Sequence, residues 1–94
     1  MKSLLTGTAL AAGLGFAAQA ETVHIANIAE LSGAGAAAGS VWADGVHLAI
    51  DEINESGGIL GMKVDMREYD SQTDPLQSRA LVQKAIDEGA FALL

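Results

Sequence analysis

The sequence predicts an α/β fold, the opening β-α-β-α-β stretch of a doubly wound parallel sheet. Three observations carry this: an apolar first strand, two helical periodicities separated by an alternating strand, and glycine or Asp-Pro punctuation at the joints. Strands that alternate with helical patterns point to βαβ units and parallel pairing.

The first strand is Thr22 to Ala29, apolar on both faces of a period-2 reading except at His24 and Asn27, as a central strand covered on both sides would be. A Gly/Ala-rich turn, Leu31-Ser32-Gly33-Ala34-Gly35, leads into a helix over Ala36 to Glu55. Its apolar stripe is Trp42, Val46, Ala49, Ile50 and Ile53, with Asp44, His47, Asp51 and Glu55 opposite. Gly57-Gly58 ends the helix, because glycine accepts the left-handed conformation required there.

Met62 to Tyr69 alternates, with Met62, Val64 and Met66 against Lys63, Asp65 and Arg67, and predicts a half-solvated edge strand. Asp74-Pro75 opens the second helix as N-cap and first residue. Leu81, Val82, Ala85 and Ile86 form its buried side, Gly89 closes it, and Asp87 and Glu88 face an unfavourable dipole that Lys84 only partly answers. Phe91 to Leu94 starts a third strand. Two right-handed crossovers from a central first strand put the second strand on one side and the third on the other. The ligand crevice of such a sheet lies where the order reverses, here at Glu30 to Gly39.

Length and composition bound the function. The 94 residues allow one small domain at most. A net charge of −7, from 5 Lys+Arg and 12 Asp+Glu, argues against nucleic acid and anionic lipid as partners. Without cysteine there are no disulfides, thiol nucleophiles or thiolate metal sites. Residues 1–20 read as a cleaved signal peptide: Lys2 as basic region, an apolar run from Leu4 to about Ala18, and Ala18-Gln19-Ala20 as the small-x-small cleavage site. A membrane anchor would need about 20 uninterrupted apolar residues. This run is broken by Thr6, Gly7, Thr8, Gly13 and Gly15, and export to the periplasm is expected. Residues 21–94 then form the domain portion.

The glycine turn fails as a nucleotide site. Gly33-x-Gly35 is followed by Ala38 where G-x-G-x-x-G requires glycine, the acidic residue at Asp70 comes too late, and no Gly-Lys-Ser/Thr follows. Its glycines allow a tight turn, and free N–H groups at a helix start, with the Ser32 hydroxyl, suit an anionic group such as a carboxylate. His24 and His47 have no second ligand at a metal spacing, and Asp51, Glu52 and Glu55 form a solvated face. No metal, cofactor or catalytic residue is expected. An enzyme on the same scaffold would need a nucleophile-base pair or a metal constellation, and residues 21–94 offer neither.

Several segments together resemble one family. Glu30-Leu31-Ser32-Gly33, the Gly39 and Gly45 spacing, Ala49-Ile50-Asp51-Glu52-Ile53-Asn54-Glu55-Ser56-Gly57-Gly58-Ile59-Leu60-Gly61, and Tyr69-Asp70 followed by Asp74-Pro75 are similar to the opening of the periplasmic leucine/isoleucine/valine-binding proteins. These are the substrate-binding subunits of ABC importers, and relatives take amides, urea or aromatic acids. The resemblance covers Val23 to Leu94 and implies the N-terminal lobe of a two-lobed receptor that closes on its solute and is read by membrane permease subunits. It implies a monomer binding a branched-chain amino acid or a related small carboxylate or amide. Leu31, Ser32, Gly33, Ala38 and Gly39 carry over as ligand-side residues, while the principal contacts of the family would lie beyond Leu94. Ala38 departs from the family, whose leucine-binding members place an aromatic there, and so leaves room for a bulkier solute.

Two further readings follow from the same features. One is a ligand-sensing ectodomain of a receptor. The other is an inactive fragment that is partly unfolded or aggregates through its third strand, since two helices cannot cover both faces of three strands and the core is marginal.

Overall fold

A computed structural model describes residues 21–94; the expected signal peptide lies outside the described residues. The elements are β1 (Thr22–Ala29), α1 (Ala36–Glu55), β2 (Lys63–Asp70), α2 (Pro75–Asp87) and β3 (Ala92–Leu93). They form a parallel sheet in the order β2-β1-β3, the arrangement expected of two right-handed crossovers. β1 and β2 pair in unbroken register from Thr22 opposite Lys63 to Ala29 opposite Asp70. β3 pairs through Ala92 and Leu93, and hydrogen bonds from Phe91 N to the His24 carbonyl and from Leu94 N to the Ala26 carbonyl carry the pairing over the whole expected strand.

The core is made of small side chains. Ala26, Ala29, Ala43, Val64, Leu81 and Ala85 are its buried apolar members, so helices approach the sheet closely and each methyl counts. Asp74 caps α2 through the Leu76 amide at 2.9 Å, with Pro75 in the first turn. The α1 terminus expected at Gly57-Gly58 is present, both glycines having positive φ (105° and 81°).

Four expectations about side-chain placement are corrected, the first being Ala49, which is exposed although expected in the apolar stripe of α1. Trp42 is 54% exposed and lies outside the buried stripe of α1. The helix is rotated so that Ala43 meets the sheet, with Val46, Ile50 and Ile53 half-buried, because alanine permits the closer approach. His47, expected on the face away from the sheet, reaches β2: its Nε2 lies 2.7 Å from Glu68 Oε2. Ile86 is 53% exposed, because α2 meets the sheet through Leu81 and Ala85 and position 86 turns about 100° away from that line.

The two polar interruptions of β1 are both paired. Asn27 is fully buried, donating to Glu68 Oε2 at 3.2 Å and accepting from the Trp42 indole at 3.1 Å. His24 meets Asp65 across the strands at 2.9 Å. On that face Glu88, unfavourably placed at the end of α2, accepts from the Tyr69 hydroxyl at 2.8 Å and from Arg67 at 3.4 Å. The same carboxylate holds the Tyr69 phenol above its ordinary pKa.

Candidate functional site

The carboxyl ends of β1 and β2 emerge side by side, and the two turns that follow are tied into one unit. Ser71 N donates to the Ala29 carbonyl at 2.9 Å, joining the strand ends. Beyond it Asp70 is the hub. Its Oδ1 accepts from the amides of Leu31 (3.0 Å), Ser32 (3.2 Å) and Gln72 (2.8 Å), while its Oδ2 accepts from the Ser32 hydroxyl at 2.7 Å. Thr73 adds a second tie, its Oγ1 accepting from Gly35 N and donating to the Ser32 carbonyl, both at 2.9 Å.

The expected ligand-side residues divide into two groups. Leu31, Ser32 and Gly33 lie together against the turn after β2, with Leu31 half-buried and the other two exposed. A Cβ on Gly33 (φ +82°) would stand 2.6 Å from the Gln72 carbonyl oxygen, so the two backbones are in contact there. Ala38 is exposed on the first turn of α1. Gly39 faces inward, and a Cβ there would be 1.9 Å from the Glu30 carbonyl oxygen. Its lack of a side chain is what lets α1 settle on the end of β1.

Part of the expected donor set is already used. The Ser32 hydroxyl and the amides of Leu31 and Ser32 are committed to Asp70, Gly35 N to Thr73, and Ala36 N to the Gly33 carbonyl at 3.2 Å. The amides of Gly33, Ala34, Ala37 and Ala38 have no hydrogen-bond acceptor among the described residues, so the turn offers the crevice these donors together with the Ser32 lone pairs. Sequence reasoning missed Asp70 and Thr73 as organisers of this turn. The available signal was a carboxylate ending one strand beside an N–H-rich turn ending its neighbour.

The Ser32 hydroxyl bond, followed by the Gln72 amide, holds the Asp70 carboxyl below the usual carboxylate range. A depressed native pKa means that the stabilisation is full above the unfolded-state value, about 3.9, and is lost as pH falls through the lower native value. Asp70→Asn is therefore expected to lower the urea midpoint at pH 7, with the gap to wild type closing from about pH 4 downward. A gap as wide at pH 2.5 as at pH 7 would refute the assignment.

A family model for periplasmic binding proteins matches residues 22–94, which is every element of the fold. The chain belongs to the periplasmic binding protein family. Among curated relatives, a Leu/Ile/Val-binding protein of Rhizobium johnstonii is 41% identical over 90% of this chain and 23% of its own. The Leu/Ile/Val-binding protein of Escherichia coli is 34% identical over 94% of this chain and 24% of its own. This member of the periplasmic binding protein family thus spans about a quarter of the length of those relatives.

Solved structures of substrate-binding proteins agree in fold. A branched-chain amino acid transporter substrate-binding protein from Streptococcus pneumoniae, in complex with isoleucine, superposes with a TM-score of 0.76 at 28% identity. The match covers 78% of this chain and 21% of that one. A leucine-, isoleucine-, valine-, threonine- and alanine-binding protein from Brucella ovis gives 0.71 at 36% identity, over 79% and 19%. The relatives are solute-binding proteins by name.

In this periplasmic binding protein the D-E-I-N segment acquires a physical role. Asn54 accepts from Val64 N at 2.8 Å and donates to the Val64 carbonyl at 2.9 Å, presenting the edge strand β2 with a side-chain amide in place of another strand. The segment's acidic residues Asp51, Glu52 and Glu55 are exposed, as expected of a solvated face.

Proposed function

We propose that this chain is the opening of the first lobe of an ABC importer's substrate-binding component, one that takes a branched-chain amino acid or a related small carboxylate or amide in the periplasm. The observation that carries this reading is the family match over residues 22–94 together with relatives named for binding leucine, isoleucine and valine.

The geometry supports a wall of the solute crevice at Leu31, Ser32, Gly33, Ala38 and Gly39. The strand order reverses at β1, so the turn after it opens to the carboxyl-end crevice in which α/β sheets bind ligands. With its hydroxyl proton committed to Asp70, Ser32 can accept from a solute donor, and Leu31 offers apolar surface. Gly39 serves that wall indirectly, by seating the helix that carries Ala38. The small side chain at Ala38 leaves the mouth wide. The activity is non-covalent: solute bridges two lobes and shifts the population toward the closed form, which the permease subunits recognise.

Calorimetric titration of the natural-length protein with leucine, isoleucine, valine and a panel of small acids and amides tests this. Saturable binding of at least one, at micromolar or tighter affinity, is expected; no binding to any member of the panel overturns the proposal.

A further inference from the structure

The N-cap of α1 is Gly35, which has no side chain with which to accept the orphan amides of a helix start, and the first turn, Ala36 to Gly39, contributes none either. An acceptor for the amide of Gly35 itself comes from another element. Thr73, in the turn between β2 and α2, takes the Gly35 amide on Oγ1 and spends its own proton on the Ser32 carbonyl. A hydroxyl has one proton and two lone pairs, so a single side chain holds both ends of the Ser32–Gly35 segment.

The backbone under Thr73 is unusual. Gln72 and Thr73 both have φ +58°, in the left-handed region, where a β-branched residue is a marked outlier. Glycine would adopt this conformation at little cost. The strain is held in place by the Gln72 amide on Asp70 and by the Asp74 amide on the Ser71 carbonyl at 3.0 Å. Strained backbone that persists against such an alternative points to what the side chain supplies, and here it supplies the hydroxyl.

We propose that Thr73 is a positioning residue for solute binding: it caps α1 from the neighbouring turn and thereby fixes where Ser32, Gly33 and Ala38 stand in the crevice. No contact between Thr73 and solute is involved. The inference rests on the reading of that turn as part of the solute wall.

Thr73→Gly removes the hydroxyl while relieving the left-handed strain, so the fold is retained; Thr73→Ser keeps the hydroxyl. In the natural-length protein, titrated with leucine, isoleucine and valine, Thr73→Gly is expected to raise Kd roughly tenfold, the effect of losing two ordinary hydrogen bonds, with a urea midpoint close to wild type. Thr73→Ser is expected to bind within about threefold of wild type. Hydrogen exchange at the Gly35 amide is expected to accelerate in Thr73→Gly and to stay protected in Thr73→Ser, with or without solute. Wild-type Kd in Thr73→Gly, or equal losses in both variants, overturns the proposal. A wild type that binds none of the three amino acids strikes the reading of the crevice, and Gly35 exchange then decides the cap by itself: unchanged protection in Thr73→Gly overturns it.

Discussion

Gly39→Ala is expected to destabilise the protein by about 3 kcal/mol or more, at the upper end of what overpacking costs. The new methyl would lie 1.9 Å from the Glu30 carbonyl oxygen and 2.6 Å from its carbon, and both are backbone atoms that cannot rotate aside. The only escape is for α1 to lift from the end of β1. That would pull Ala43 out of the core and strain the ties of Asp70 and Thr73 to the turn. Gly45 provides the control. It sits on the same helix with nothing near the position of a Cβ, so Gly45→Ala is expected to be stabilising, by about 0.5 to 1 kcal/mol, since alanine is the better helix former. Urea denaturation of both variants in the natural-length protein checks the pair. If Gly39→Ala lost less than 1 kcal/mol, the close seating of the helix on the strand would be wrong.

Asn54→Ala is expected to cost about 2 to 4 kcal/mol, because it strips partners from both the amide and the carbonyl of Val64 at one stroke. Val64 is 2% exposed, so water replaces these bonds poorly. Asn54→Asp is the more instructive variant. It keeps an acceptor for Val64 N but sets a carboxylate oxygen against the Val64 carbonyl, and it is expected to recover little of the loss at pH 7. The same urea series reads both variants. Equal stability of Asn54→Ala and wild type would show that the side-chain amide does not hold the strand edge.

Much of this fold could be read from local signals. The ends of α1 and α2 follow from Gly57-Gly58 and Asp74-Pro75, whose effects act within a few residues, and the parallel order follows from the handedness of crossovers. The rotation of α1 about its axis was less legible. Periodicity gives the width of an apolar stripe, yet whether Trp42 or its neighbour Ala43 meets the sheet depends on how closely the opposing strands let the helix approach. Asn27 did leave a clue, since an amide inside a strand covered on both faces requires partners. Their identities were not legible: Glu68 depends on register between strands 41 residues apart, and Trp42, 15 positions away, on how α1 is turned about its axis. The candidate site was legible as a place, the turn after β1. Its internal chemistry was not, because Asp70 and Thr73 act on residues 38 to 41 positions earlier in the chain.

The unbroken register of β1 with β2 also dictates when this molecule can fold. Every pair between the two strands joins residues 41 positions apart, so there is no short-range hairpin from which pairing could start. While the chain is being made, β1, the strand on which the rest of the sheet is built, waits without a hydrogen-bonding neighbour until Lys63 and the residues after it have emerged. Pairing of the two strands has to bridge that separation, with the helix between them already free to form.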